Sequence, residues 1–333
     1  VELAKKLCDT YGPSGREDHV RDIIKDELQN YCKNIEVDRL GNVIAYVPSK
    51  TGKGDKIMFC AHMDEIGLIV THIDKNGFLR FTKIGGVFTE RILQERVIFE
   101  NGTIGIIGAE TKPETPKPPR LDNMFIDIGA ENKEEALTMV KIGDIAAFHQ
   151  HAITINNRLA AKALDDRIGC YCLIDTIKRI KDNRDDLYFV FSVQEEVGLK
   201  GARTGAYAIE PKYAIAVDVT TTGDTPESPK MDLAIGRGVA IKVKDRAFIS
   251  NPLVRDKLIS YAQKISLPYQ LEILERGTTD AAVIQLVKAG VLSGVLSIPT
   301  RYVHSINECC DFKDVEGTIK LLTYICEKGL EKI

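Results

Sequence analysis

The sequence predicts an α/β protein: a mostly parallel sheet covered by helices on both faces, interrupted by a small β-rich unit. Three observations carry this. Apolar strand-like runs alternate with helical runs up to about residue 70 and again from residue 157. Between them, residues 71–156 hold short strand-like pieces, turn signals and one helical stretch. The 333 residues suffice for two domains, or for one large domain with an insertion. The expected organisation is a discontinuous α/β domain, residues 1–70 and 157–333, with residues 71–156 inserted as a compact barrel.

Taken in order, Ser14 and Glu17 stand at capping-box spacing, and Val20, Ile23, Ile24 and Leu28 then recur at helical intervals. NIEVDRLGNVIAYV alternates as a strand around an LGN turn, and DKIMFCAHMDEIGLIV reads as a buried strand entering a charged loop. In the insertion, FLRFTKIG, RVIFE, GTIGIIGAE, MFIDIG, DIAAFH and AITI read as strands and NKEEALTMV as a helix. TKPETPKPPR reads as an exposed loop. Beyond it, DDRIGCYCLIDTIKRIKD reads as an amphipathic helix, LYFVFSV as a strand, GLKGARTGAYAI as a helix and YAIAVDV as a strand. VRDKLISYAQKIS is a helix, LEILER a strand, TDAAVIQLVKAG a helix, VLSGVLSI a strand and DVEGTIKLLTYICEKGLEKI the closing helix.

Composition narrows the function classes. A net charge of -3 without basic clusters argues against a nucleic-acid or membrane surface. No apolar run approaches the roughly 20 residues of a membrane helix. The opening stretch lacks a signal-peptide core. The eight cysteines, with CYC and CC pairs, do not resemble a disulfide framework or a zinc ribbon. A reduced, cytoplasmic protein is expected.

In sheets of this kind, ligands sit beyond the carboxyl ends of the strands. The polar residues standing there are His62 and Asp64 after IMFCA, Glu195 and Glu196 after LYFVFSVQ, and Asp218 after YAIAV. Asp165 opens a helix in KALDDRIG, and His304 lies in RYVHSINE. Each has a plainer reading alone: a hydrogen-bonded loop histidine, a helix N-cap, a turn-initiating aspartate or a solvated acidic turn. As a set they make a nitrogen and oxygen environment suited to Zn²⁺, Co²⁺ or Mn²⁺. So many carboxylates packed together call for cations, and two divalent ions would neutralise them and share a water. HQH, with His149 and His151 on one face, is a fallback metal site.

These motifs, in this order, resemble the M42 family of dinuclear metallo-aminopeptidases, which includes glutamyl aminopeptidases and the TET peptidases. The likeness spans nearly the whole chain: YGPSGRE, DRLGNVIA, AHMDEIGLIV, VFTERILQERV, MFIDIGA, IGDIAAF, AKALDDRIGC, SVQEEVGLKGA, AVDVT, GTTDA and RYVHS. It implies an α/β/α zinc-peptidase catalytic domain with an inserted β-barrel or PDZ-like dimerisation domain. It implies that His62 and Asp218 bind one metal, Glu196 and His304 the other, and that Asp165 bridges both. Glu195 is then the general base and Asp64 orients His62. A cis peptide between Asp165 and Asp166 is implied too. The cofactors are two divalent ions per subunit, zinc or cobalt first and manganese next. The partners are peptide substrates and further copies of the chain, as dimers or a tetrahedral dodecamer. VFTERILQERV and the proline-rich loop are candidates for those contacts. Arg237 and Arg276, with Lys242, are candidates for favouring an acidic first residue.

Two other classes compete. A carboxylate-based glycoside hydrolase of endoglucanase type would also use paired acids. Yet the chain has no Trp to offer a sugar platform, and adjacent Glu195 and Glu196 do not themselves predict the two-sided geometry. A non-catalytic metal-binding assembly protein would bind metal and leave N-terminal reporters intact.

Overall fold

A computed structural model describes residues 1–110, 120–228 and 230–330. The proline-rich stretch expected as a loop lies outside the described residues, except for Arg120. Eleven strands form one sheet. Its main path runs Asn34–Val37, Val43–Val47, Asp186–Ser192, Lys56–His62, Tyr213–Thr220, Leu292–Arg301, Glu308–Asp311, Arg158–Ala161, Ile153–Ile155. Val239–Lys244 branches from Leu292–Arg301 and pairs on its other side with Tyr269–Ile273.

The four strands from Asp186–Ser192 to Leu292–Arg301 are parallel neighbours. Most flanking pairs are antiparallel. The sheet is therefore mixed rather than mostly parallel. For Asn34–Val37 with Val43–Val47, and for Ile153–Ile155 with Arg158–Ala161, the reason is a short connection. A tight turn can join only antiparallel strands. One such turn spans Asp38–Asn42, where the Asp38 carboxylate accepts the amides of Leu40, Gly41 and Asn42 at 2.9–3.0 Å.

Alternation along the parallel strands makes three layers. Ile57, Phe59 and Ala61 point into the larger core, Met58 and Cys60 into the opposite one. Leu187, Phe189 and Phe191 join the first, Val190 the second. Helices Glu2–Asp9, Asp18–Leu28, Leu164–Arg179, Pro252–Lys264 and Phe312–Lys328 cover the larger core, and Lys200–Ile209 covers the other. Leu164–Arg179 is not amphipathic, for twelve of its sixteen residues are buried. It lies between the sheet and the helices Glu2–Asp9 and Phe312–Lys328. The capping box at Ser14 does not form either, since the helix starts at Asp18 with no side-chain cap. Both of its residues are used elsewhere, as shown below. The helix expected over TDAAVIQLVKAG shrinks to one turn, Ala281–Ile284. Helix Glu2–Asp9 and the strands Val239–Lys244 and Glu308–Asp311 were not legible in the sequence.

Six further strands close a barrel in the order Gly67–Ile73, Leu79–Ile84, Met124–Asp127, Ile104–Ala109, Arg96–Phe99, Ile145–Phe148. It has its own core, including Leu68, Phe81, Val97, Ile107, Ile126 and Phe148. Ile153–Ile155, by contrast, pairs in the large sheet. Among the described residues no helix is long and apolar enough to cross a membrane.

At the centre, Phe189 and Phe59 face each other in register and stack with centroids 5.0 Å apart. Both are fully buried. Phe189→Ala is expected to cost about 3–5 kcal/mol through lost burial and a residual cavity. The shift of the urea midpoint at unchanged slope measures it.

Candidate metal centre and active site

The parallel strands end on one rim. Ser192 is in register with His62, and Asp218 lies two residues beyond Ala216, the partner of Cys60. The Asp165–Asp166 turn is brought to the same rim, and the peptide between the two is cis. His304 arrives from the loop between Leu292–Arg301 and Glu308–Asp311.

Asp165 is the meeting point. Its Oδ1 is 3.1 Å from His62 Nε2 and its Oδ2 is 3.2 Å from His304 Nε2. His304 Nε2 also lies 3.2 Å from Glu196. Glu195 stands 3.9 Å from His62 Nε2. Among the described residues, two donor groups are compact enough to hold a metal ion: His62, Asp166 and Asp218, and Asp165, Glu196 and His304. Asp166 stands beside Asp165 in the sequence but was not assigned there as a ligand. Its two oxygens already accept the amides of His62 at 3.2 Å and Gly169 at 3.1 Å. Asp165 is thus the carboxylate that meets both imidazoles.

Each imidazole is oriented from behind. His62 Nδ1 lies 3.1 Å from the Asp64 carbonyl and 3.5 Å from its carboxylate. His304 Nδ1 lies 2.9 Å from the Gly86 carbonyl. A partner at Nδ1 fixes the tautomer that leaves Nε2 as the free donor. Gly86 has to be glycine, because a Cβ there would fall 2.5 Å from the His304 ring. The neighbouring Gly85 has φ +74, and a Cβ there would crowd Glu196.

Asp64 does more than orient a histidine. Its carboxylate accepts the amides of Glu195 at 2.9 Å and Glu196 at 3.2 Å, and the Ser14 hydroxyl at 2.6 Å. Glu17 accepts the amides of Gly15 at 2.8 Å and Gln194 at 3.1 Å. These contacts, not a helix cap, occupy the S-x-x-E pair. Behind them lies a buried ionic cluster that residue types alone did not reveal. Lys162 Nζ lies 2.7 Å from Glu65, and Arg167 lies 3.4 Å from Glu65. Arg167, fully buried, also donates to the carbonyls of Met63, Leu7, Thr10 and Gly12. Spacing gave one signal for it: Glu65 directly follows the H-x-D pair.

The charges fit a cation-binding site. Burial pushes Glu195 and Asp218 well above the carboxylate range, and repulsion from other acids adds to it. Burial alone would lower the histidines. The surrounding carboxylates, Glu195 for His62 and Glu196 for His304, outweigh it and raise both, His304 to about 12. Glu308 is pushed up to about 8 by burial, then by Asp165. A rim with this many acids and two imidazoles needs positive counter-charge, and its nitrogen and oxygen donors are those that divalent cations prefer.

The other candidates lie outside these two donor groups. His149 and His151 face each other at 5.6 Å, and His151 lies 3.5 Å from Asp9, but they gather no third donor into a compact group among the described residues. Arg237 and Arg276 are exposed. Lys242 is fully buried, 2.7 Å from Glu272, so its charge is consumed inside the domain rather than offered to a substrate.

An α/β/α domain with a barrel insertion and this histidine and carboxylate rim defines the class of metal-dependent hydrolases. The chain belongs to the M42 glutamyl aminopeptidase family, whose model matches residues 41–321. It is 37% identical over 340 residues to a lysyl aminopeptidase of Pyrococcus furiosus, covering 98% of this chain and 96% of the relative. A solved aminopeptidase from the archaeon Desulfurococcus kamchatkensis superposes with TM-score 0.96 at 40% identity, covering 100% of this chain and 97% of that one. The TET1 peptidase of Pyrococcus horikoshii, which can assemble into a tetrahedron or a large octahedral shell, superposes with TM-score 0.90 at 34% identity, covering 98% and 99%. The chain is thus a hydrolase of the aminopeptidase class, and family membership implies divalent metal ions.

Glu65→Ala is expected to destabilise the fold by about 3–5 kcal/mol, because Lys162 and Arg167 would be left buried without their counter-charge. Chemical denaturation of metal-free protein measures this without interference from ion binding.

Proposed function

We propose that the chain removes N-terminal residues from peptides at a dinuclear centre. His62 and Asp218 would hold one ion, Glu196 and His304 the other, and Asp165 would serve both. The observation that carries this is Asp165, whose two oxygens address one imidazole each. The nitrogen and carboxylate donors suit Zn²⁺ or Co²⁺ first and Mn²⁺ next. Such ions supply Lewis-acid polarisation of the scissile carbonyl and lower the pKa of water from about 16 toward about 7.

Glu195 is the general base. Its amide is fixed by Asp64, and its carboxylate stands 3.9 Å from His62 Nε2. It takes the proton of the attacking water and returns it to the leaving amine. Asp64 holds His62 and the Glu195–Glu196 backbone together, so the base and both donor groups keep one geometry. The excess of carboxylates attracts a protonated α-amine, which favours cutting at chain ends. Arg237 and Arg276 are the exposed cations assigned to the first side chain, and they favour acidic residues.

The inserted barrel, which occupies the middle of the chain, is the dimerisation unit of a homo-oligomer, with a tetrahedral dodecamer as the full assembly. The likeness to the TET1 peptidase supports this. Eight unpaired cysteines, all buried, support a reducing, cytoplasmic setting. The glycosidase reading has less support, since paired carboxylates working alone have no use for His62 and His304.

Chelation is expected to abolish cleavage of aminoacyl reporters, and Zn²⁺, Co²⁺ or Mn²⁺ to restore it. The same panel, with glutamyl and aspartyl reporters included, reads the first-residue preference. Glucan hydrolysis that survives complete metal removal would return the carboxylate-only glycosidase reading. Glu195→Gln is expected to retain two ions per subunit while kcat falls by about 10²–10⁴. Near-normal turnover by that variant rejects the base. Sedimentation at the mass of a single chain would count against the assembly.

A further inference from the structure

We infer that Glu308 is a positioning residue whose two carboxylate oxygens tie the backbone of Asp165 to that of His304, and so set the Asp165–Glu196–His304 donor group. This rests on the metal-centre reading above. Glu308 Oε2 accepts the Asp165 amide at 2.9 Å and Oε1 accepts the His304 amide at 2.7 Å. The residue is 2% exposed. Among the described residues it forms no ion pair, so those two amides are what the buried carboxylate serves.

The position is over-determined from the chain. Glu308 opens the strand Glu308–Asp311 and stands in register with Ala161, which ends Arg158–Ala161 four residues before Asp165. Strand pairing therefore delivers Glu308 to the start of the Asp165 turn, and the side chain closes the remaining gap. Both segments it holds carry non-glycine left-handed backbone: Ala163 at φ 57, Tyr302 and His304 at φ 61. Such conformations persist only where the surroundings hold them. The His304 ring is fixed separately by Gly86, so Glu308 governs where the imidazole stands rather than which nitrogen it offers.

Both groups facing Glu308 are donors, so the site needs two acceptors on one side chain. Glutamine supplies one acceptor and turns an NH₂ toward the other amide. Aspartate keeps both acceptors but is one methylene too short to span the two. No hydrogen bond links Glu308 to the side chains of His62, Asp166 or Asp218. Loss of the clamp should therefore weigh more on the ion of Glu196 and His304, which loses both backbone anchors, than on the other, which shares only Asp165.

The test titrates metal-stripped full-length protein with Co²⁺, following its visible absorption bands and the calorimetric stoichiometry. Wild type, Glu308→Gln and Glu308→Asp are compared, with His304→Ala marking the Glu196–His304 ion and Asp218→Asn the other. In both Glu308 variants, affinity for the ion lost in His304→Ala is expected to fall at least about tenfold, the range for outer contacts to metal ligands. The other ion, reached only through Asp165, should change less. Binding of both ions within twofold of wild type in the folded variants overturns the inference, and so does equal weakening of both. Should Glu308→Gln fail to fold, Glu308→Asp carries the same test. Wild-type protein that takes up fewer than two ions overturns the metal-centre reading itself, an outcome read without any Glu308 variant.

Discussion

The structure depends on one electrostatic constraint: a crowd of carboxylates must be held, mostly out of water, at the ends of four parallel strands. Asp64, Asp165, Asp166, Asp218 and Glu308 are all buried. Burying a charge without compensation costs far more than a domain's net stability. The chain compensates three of them with backbone amides rather than lysines or arginines. Asp64 takes the amides of Glu195 and Glu196, Asp166 those of His62 and Gly169, and Glu308 those of Asp165 and His304. Each bond runs from one catalytic segment to another or tightens the turn that carries a donor. The network that makes the charges tolerable also fixes the geometry.

Two of the buried cations are held by Glu65 rather than by the donor carboxylates. Lys162 and Arg167 meet Glu65, and Arg167 gathers three carbonyls of the N-terminal segment and that of Met63. Placed among the donors, either would compete with a metal ion for the same oxygens. Placed behind Glu65, they pin the loop after the His62 strand and leave the donors free. The barrel contributes in the same indirect way. Gly86 accepts from the His304 ring, and Arg91 donates to the Val303 carbonyl at 3.0 Å. The insertion thus supports one half of the candidate site, and its seating on the α/β domain bears on His304 directly.

Much of this was legible in the sequence, and the reasons differ by element. The central strands were visible because they are buried on both faces and read as continuous apolar runs, as in LYFVFSV. The candidate ligands were visible because strand ends place function, so His62, Asp218 and the Glu195–Glu196 pair could be collected by position. Ser14 and Glu17 misled because a capping box is a local pattern, and tertiary contacts with Asp64 and Gln194 claimed both side chains. Helix Leu164–Arg179 looked amphipathic because Asp165, Asp166 and Arg167 are polar, yet all three are buried for the site or its support. Glu308 and Asp166 escaped because their partners are backbone amides, which leave no trace in residue types.

The adjacent pair Glu195 and Glu196 illustrates how a local distortion becomes chemistry. Along a regular strand, neighbours point to opposite faces, and one of the two would be lost to the cleft. The strand ends at Ser192, and Gln194 takes a left-handed conformation at φ 56. The chain then turns, with the amides of Gly198 and Leu199 returning to the Glu195 carbonyl at 2.9 and 2.8 Å. Asp64 grips both glutamate amides, so the turn cannot relax. The two carboxylates consequently enter one cleft at different distances from different imidazoles: Glu196 is 3.2 Å from His304, Glu195 is 3.9 Å from His62. Equal chemistry at neighbouring positions is split by geometry, one acid placed where a donor is needed and the other where a proton must move. A single carboxylate could not serve both ends, because an oxygen committed to a cation is a poor base.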